Sequence, residues 1–310
     1  METKIIKGDT LKDKIFLEVA TEVARLQGQY NKTPGIAFIG FSGVPLSKYV
    51  IPLHVQAAEA AGFFVKTEIR DDTATEEELF KLIDDLNANE DIHAILLLQP
   101  LPAHLNPVRI MNHIDRRKEV EGFHPQNMLS TLIPDIKTNL YPMCLPTALI
   151  EMFKDAGVEF MHDQEWVFIL DDEFFANTLT HMVVRAAASV VVPHDCALSI
   201  INRNYSKMTD FCKRADVLVV VTKTPEYIQP EWLKPGVCII DIYSNLVKEV
   251  PSKNDPTKLV PVIRGGVNVD SVKNIAGVFL PIPGGLMTVV LGILLRNALI
   301  SFRHSLDNSY

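Results

Sequence analysis

The chain is poor in the residues that would make it a secreted, membrane-bound or metal-holding protein. Its four cysteines, Cys144, Cys196, Cys212 and Cys238, form neither a CxxC pair nor a disulfide-framework pattern, and Cys238 sits inside the strand-like run Val-Cys-Ile-Ile-Asp. They read as reduced thiols of an intracellular protein, most simply a cytoplasmic one. No stretch approaches about 18 consecutive apolar residues and the amino terminus has no apolar signal core, so neither a membrane segment nor a targeting segment is expected. Positive charge is also short. The formal net charge is −8, and no cluster of aromatic residues interleaved with Lys or Arg offsets it, which argues against nucleic acid and anionic membranes as partners. The best basic run, Arg116-Arg117-Lys118, is followed at once by Glu119 and Glu121. His181 and His194 lie too far apart for a one-helix metal pair, and His194-Asp195-Cys196 lacks a further ligand at a recognisable spacing, so no metal site is expected. Ser42 and Ser47 have glycine nearby but no Gly-x-Ser-x-Gly elbow, and Lys223 reads as a solvated loop lysine.

Apolar residues are plentiful. At 310 residues, 47% apolar and 22% charged, the chain can bury substantial cores, most simply as two domains. Residues 166–192 carry a short β-branched and aromatic run, a polar turn, about a dozen residues at helical spacing, and a second buried-strand run, which is half of a Rossmann-type βαβ unit. The first turn of such a unit needs glycines so that the backbone can approach a pyrophosphate. Here it reads Leu170-Asp171-Asp172-Glu173, with no glycine and three consecutive acids. Like charges at that distance repel with nothing in the local sequence to neutralise them, so NAD and NADP are expected to bind weakly or not at all.

In order, residues 11–29 have helical spacing, residues 35–39 read as a buried strand, and residues 48–61 form a second helix closed by Gly62 as a C′ cap. A strand at residues 63–69 precedes Thr75-Glu-Glu-Glu78, a capping-box pattern that opens a helix through Leu86. Residues 94–98 are wholly apolar, as at the centre of a parallel sheet, and run into Gln99-Pro100, where proline ends the element. Ligand sites in open α/β sheets gather beyond the carboxyl ends of the strands. Residues 41–49 and 98–102 should therefore reach one cleft, and the tight loop at 119–127, presenting Glu121 and His124, is a third candidate for its wall. A linking helix starts near Pro146, buried strands follow at 215–221 and 237–242, and Pro283-Gly284-Gly285 makes a sharp turn before an apolar helix at 286–302. The expected fold is α/β: two αβα domains, the second Rossmann-like, with a C-terminal helix returning to the first. The expected bounds are 1–145, 146–284 and 285–310.

Read together, Ser47-Lys-Tyr49-Val50, residues 75–82, Gln99-Pro-Leu-Pro102, Lys118-Glu-Val-Glu-Gly-Phe-His-Pro125 with Asn127, Cys144-Leu-Pro146, Ala215-Asp216, Ile240-Asp241 and Leu280-Pro-Ile-Pro-Gly-Gly285 resemble the methylenetetrahydrofolate dehydrogenase/cyclohydrolase family over nearly the whole chain. The resemblance implies a folate cleft between two domains, lined here by Tyr49, Gln99, Glu121, Pro283, Gly284 and Gly285, and usually a homodimer formed through the nucleotide domains. It implies oxidation of 5,10-methylenetetrahydrofolate with NADP or NAD, then hydrolysis of the methenyl product.

Several working positions depart from that pattern. The family's lysine four residues after the tyrosine is Leu53 here, or His54 if an extra residue is placed earlier. Leucine can neither donate a proton nor stabilise negative charge, and histidine keeps acid–base capacity with a shorter reach. Tyr49 either lines the cleft or is a packed helix-start aromatic. Gln99 falls one position late, which in a strand turns the side chain to the other face. Glu121 replaces the aspartate that holds the pterin, with one more methylene. The glycine-rich turn is lost at residues 170–178, no arginine follows for a 2′-phosphate, and Tyr243 stands where a glycine adjoins the nicotinamide. The expectation is a catalytically degenerate relative that needs no cofactor and keeps a cleft for a folate-like small molecule or serves a protein partner. An active NAD- or NADP-dependent enzyme, with His54 or Gln99 rescuing catalysis, is one alternative. An enzyme of new specificity is the other.

Overall fold

The computed structural model describes residues 2–127, 141, 143–171, 192, 193 and 195–307. Along the chain these form β1 (Lys4–Ile5), α1 (Asp9–Tyr30), β2 (Gly35–Phe41), α2 (Ser47–Ala60), β3 (Phe64–Arg70), α3 (Glu76–Ala88), β4 (Ala94–Leu97), α4 (Pro107–His113) and α5 (Cys144–Asp155). Then come β5 (Glu165–Leu170), β6 (Ala197–Asn202), α6 (Met208–Cys212), β7 (Val217–Val221), β8 (Cys238–Asp241), β9 (Asn245–Pro251), β10 (Leu259–Arg264), α7 (Val269–Val272), β11 (Val278–Leu280) and α8 (Leu286–Asp307). The chain divides into two compact units: Lys12–Cys144 with Leu291–Tyr310, and Met1–Leu11 with Leu145–Val290.

The first unit is built on a parallel three-stranded sheet, β3-β2-β4. Every residue of β2 and β4 is buried, because helices cover both faces of a parallel sheet and no position is left for a polar side chain. Edge strand β3 alternates instead, leaving Phe64 and Ile69 exposed. The sequence-predicted capping box is present: the Glu78 amide donates to Thr75 Oγ1 at 3.2 Å and the Thr75 amide to Glu78 Oε2 at 2.8 Å. Gly62 closes α2 at φ +88°, where a side chain would be strained, and its amide donates to the Glu59 carbonyl.

From Leu291 onward α8 belongs to this first unit, as the return helix was expected to do. Asn297 Nδ2 donates to the Val120 carbonyl at 2.8 Å, Ser301 Oγ reaches the carbonyls of His93 and Arg117, and Arg296 pairs with Glu18. Gly292 lets α8 lie close to α1, since a Cβ there would come within 3.0 Å of Ile15. Residues Leu286–Leu306 are long and apolar enough to cross a membrane, with a mean hydropathy of 1.6, but 67% of that window is buried inside the fold, as in a core helix. The helix holds no uninterrupted apolar run of membrane length, because Thr288, Arg296, Asn297 and Ser301 break it.

The second unit has a six-stranded sheet of order β1-β11-β8-β7-β5-β6, parallel throughout, with β9 and β10 as a separate antiparallel hairpin. Central β5 and β7 are apolar and buried, and β6 at the edge is not. The first residues of the chain supply the opposite edge strand: Lys4 registers with Val278, and Thr3 Oγ1 donates to the carbonyl of Ala276. Val167, Leu218, Ile239 and Phe279 from four adjacent strands share one core.

Candidate functional site

In the first unit the strands β2 and β4 run parallel, Ile39 opposite Leu97 with β2 continuing to Phe41, and the Leu98 amide donates to the Ile39 carbonyl at 2.9 Å. The loops that follow both strands therefore leave the same edge. Residues 118–121 run alongside β4, the Ile95 amide donating to the Lys118 carbonyl and Ile95 bridging Glu119. This segment is braced from α3, whose last carbonyls at Leu86, Asn87 and Asn89 all accept from Lys118 Nζ. The three loops the sequence singled out thus gather at one carboxyl edge.

Glu119 organises the third loop. Its carboxylate, 2% exposed, accepts the backbone N–H groups of Glu121, Gly122 and His124 at 2.8–3.1 Å, and burial nonetheless pushes its pKa up. Gly122 is required there: its φ is +93°, and a Cβ would meet Met143 Cα at 2.9 Å. The loop delivers Glu121, whose carboxyl makes no hydrogen bond among the described residues and is raised to about 8, first by desolvation and then by Glu119 beside it. Its carbonyl is fixed by the Cys144 amide at 3.1 Å, while Cys144 Sγ contacts the Val120 carbonyl and burial lifts that thiol well above its usual range. Glu119 and Asn297 were missed as loop supports, although the Lys-Glu-Val-Glu-Gly-Phe run marked their neighbourhood.

Gln99 also faces ligand chemistry. It precedes a cis peptide bond to Pro100, is half-buried, and its Nε2 is buried with no hydrogen-bond partner among the described residues. Tyr49 occupies the first turn of α2, half-buried, with Lys48 Nζ 5.0 Å from its ring centre. One turn further on, Leu53 is 60% exposed. His54 turns inward: Nδ1 lies 2.8 Å from the Val50 carbonyl and the ring packs edge-on against Phe38 at 5.7 Å, and burial lowers its pKa. The carbonyl partner requires the proton on Nδ1, so that donor is already used, and burial disfavours the charged form of the ring. Neither placement puts a cation where the resemblance implies a lysine.

In the second unit the relevant edge holds Asp171 after β5, Arg203 after β6, Thr222 after β7 and Asp241 at the end of β8. Two sequence expectations are corrected here. Asp171 does have a neutralising partner, with Arg203 Nε 3.0 Å from its Oδ2, and it also accepts from Thr222 Oγ1 at 2.8 Å and the Lys223 amide at 2.9 Å. An arginine does follow: Arg203 stands at the carboxyl end of β6, hidden from a linear reading by the long segment that separates it from Asp171. Asp172 and Glu173, the rest of the acidic turn, lie outside the described residues, as does most of the apolar segment 186–192.

Asp241 is fully buried, accepts the N–H groups of Gly266 and Val267 at 3.1 and 3.0 Å, and is raised to about 7 by desolvation. Tyr243 is half-buried beyond it. Pro283-Gly284-Gly285 follows a cis Ile282–Pro283 bond. Gly284 has φ +90°, a Cβ on Gly285 would lie 2.2 Å from the Pro281 carbonyl oxygen, and the Gly8 amide donates to Gly284, so backbone geometry alone demands both glycines. Among the described residues no group of three or more His, Cys, Asp or Glu could hold a metal.

A parallel sheet with a cation and two threonine hydroxyls at its carboxyl edge suits the ribose end of a dinucleotide. The fit extends to Arg203 Nε, which is buried and finds no acceptor along its N–H direction despite the nearby Asp171 oxygen. Fold and edges together define a two-domain α/β protein with a Rossmann-like second domain. Comparison with known proteins is specific. Residues 6–121 match the catalytic domain of tetrahydrofolate dehydrogenase/cyclohydrolase, and residues 143–306 match its NAD(P)-binding domain. The bifunctional protein FolD of Desulfosudis oleivorans is 33% identical over 306 residues, covering 99% of each chain, and that of Desulfatibacillum aliphaticivorans is 34% identical with 98% of each covered. The structure of the Trypanosoma brucei methylenetetrahydrofolate dehydrogenase-cyclohydrolase, complexed with NADP cofactor and inhibitor, superposes with a TM-score of 0.82 at 25% identity over 99% of both chains. The chain belongs to the tetrahydrofolate dehydrogenase/cyclohydrolase family.

Proposed function

We propose that this chain is an NAD(P)-dependent 5,10-methylenetetrahydrofolate dehydrogenase with a weakened cyclohydrolase step. This reverses the order of preference drawn from the sequence. The acids said to oppose a cofactor include one, Asp171, that is paired, and the family's two domains are matched over almost the whole chain. The observation that carries the folate side is the pair of uncommitted polar groups at one sheet edge. The Glu121 carboxyl and the Gln99 amide nitrogen have the donor and acceptor character that a pterin's amino group, ring nitrogens and carbonyl complement. Tyr49 would stack on the ring. In the second unit, Arg203, Thr222 and Thr224 would border the ribose of NAD(P), which when bound supplies the hydride acceptor. The chain's own task is to hold the folate and exclude water from it.

The cyclohydrolase step needs a group that donates a proton or stabilises an oxyanion, and positions 53 and 54 offer an exposed leucine and an imidazole whose Nδ1 is already bonded to Val50. That same observation favours the second reading, a catalytically degenerate member that binds folate without turnover. A spectrophotometric assay with methylenetetrahydrofolate plus NAD or NADP, and separately with the methenyl compound, decides between them when run beside a folate titration. Dehydrogenase turnover reduced about tenfold or more by Tyr49→Ala, which removes the stacking ring, supports the first reading. Folate binding with no turnover supports the second, and absence of both rejects the folate site. The resemblance also carries the expectation of a homodimer, and a monomer seen by sedimentation at micromolar concentration would end it.

A further inference from the structure

In nucleotide-binding sheets of this kind the end of the strand next to the first βα unit reads the ribose. An acid there accepts from a free 2′-hydroxyl, or an arginine holds a 2′-phosphate. Here that strand is β6, and the residue after it is Arg203. Its guanidinium already has three neighbours, although the Nε N–H is not aimed at the carboxylate oxygen beside it. Nε lies 3.0 Å from Asp171 Oδ2, Nη1 donates to Thr224 Oγ1, and the group sits over the Tyr227 ring at 5.4 Å. Tyr227 returns its hydroxyl to the Arg203 carbonyl at 3.2 Å.

Asp171 is held just as firmly. Its side chain is 8% exposed, and it accepts from Thr222 Oγ1 and the Lys223 amide. Thr222 is fully buried, and its carbonyl accepts from Asn245 Nδ2 at 3.0 Å. The carboxylate therefore cannot swing aside without stripping these donors of their acceptor.

We propose that Asp171 is a specificity residue that locks Arg203, so that the site selects NAD over NADP. The proposal rests on the NAD(P)-dependent reading given above and sharpens it. A 2′-phosphate approaching Arg203 would meet a guanidinium whose charge is already paired with a nearly buried carboxylate, and that carboxylate would face the dianion. A ribose hydroxyl requires no such exchange. Asp171 reaches Arg203 through the fold, which places the ends of β5 and β6 side by side in register, Leu170 opposite Asn202.

The test is calorimetric titration of the full chain with NAD, NADP, ADP and 2′,5′-ADP, for the wild type, Asp171→Asn, and Asp171→Asn combined with Arg203→Ala. The wild type should bind NAD at least about tenfold tighter than NADP, as a lost charge-assisted phosphate contact requires. Asp171→Asn should gain about tenfold for NADP and 2′,5′-ADP with little change for NAD and ADP, and the double variant should lose that gain. If Asp171→Asn lacks a native circular dichroism spectrum, Asp171→Ser, which keeps a hydroxyl toward Thr222 and Lys223, is read in the same way. Wild-type NADP binding as tight as that of NAD overturns the lock alone, as does a gain that survives loss of Arg203. No binding of any nucleotide to any of these proteins overturns the lock and the cofactor reading together.

Discussion

The two carboxyl edges treat their polar groups in opposite ways. In the first unit Glu121 and Gln99 are left with hydrogen-bonding capacity that the surrounding protein does not use. In the second, Asp171, Arg203, Thr222 and Thr224 are bonded or ion-paired with one another, although the Arg203 Nε N–H lacks an aligned acceptor among the described residues. An unsatisfied buried group carries a desolvation cost that a ligand can relieve, whereas a self-paired cluster must give up bonds before it can bind anything. The first edge is thus prepared for a polar ring, and the second discriminates by what it refuses to release. Each edge is nonetheless framed by the same device, a buried carboxylate that gathers backbone N–H groups: Glu119 in one, Asp241 in the other.

That shared device gives the largest expected effect. Glu119→Ala and Asp241→Ala should each cost about 3 kcal/mol in urea denaturation, because each strands two or more buried donors at about 1–3 kcal/mol apiece. A loss below about 1 kcal/mol at either position would mean that water replaces the carboxylate and the parallel fails. Next in size is a gain. Leu53→Lys, at an exposed position, should raise methenyl hydrolysis about a hundredfold by supplying the missing proton donor. An unchanged rate would show that α2 does not aim this position at the substrate.

Glu121→Gln should weaken folate binding about tenfold and also change the pH dependence of stability. The folded carboxyl is raised from 4.5 to about 8, so between those values the folded state binds more protons than the unfolded one, and stability falls as pH rises through that window. In the glutamine variant this decline should flatten, and thermal melts at pH 5 and pH 8 of both proteins read it directly. A wild-type stability indifferent to pH would place Glu121 in water. The smallest effect is at Gln99. Gln99→Leu removes a buried nitrogen that has no partner among the described residues and should stabilise the free protein by about 1 kcal/mol while weakening folate binding. Destabilisation would reveal a bound water at Nε2.

Sequence alone determined the pieces whose cause is local. The uninterrupted apolar runs of β2, β4, β5 and β7 required burial on both faces, Thr75 and Glu78 specified a helix start, and Gly62 specified a helix end. The motifs spread from Tyr49 to Gly285 were enough for the family, and the apolar stripe of α8 was enough to call for a return helix. Only the tertiary structure decided the chemistry of the edges. Whether Asp171 is a bare charge or half of an ion pair depends on β5 lying beside β6, and whether His54 could replace a lysine depends on the direction in which α2 turns it, toward Phe38 and the Val50 carbonyl. The same holds for β1, too short to read, which becomes a strand only because Lys4 finds Val278 at the other end of the chain. Periodicity records which face of an element is buried. The partners of a charged or polar side chain are set by segments far away in sequence, and they enter only when the sheet orders its strands.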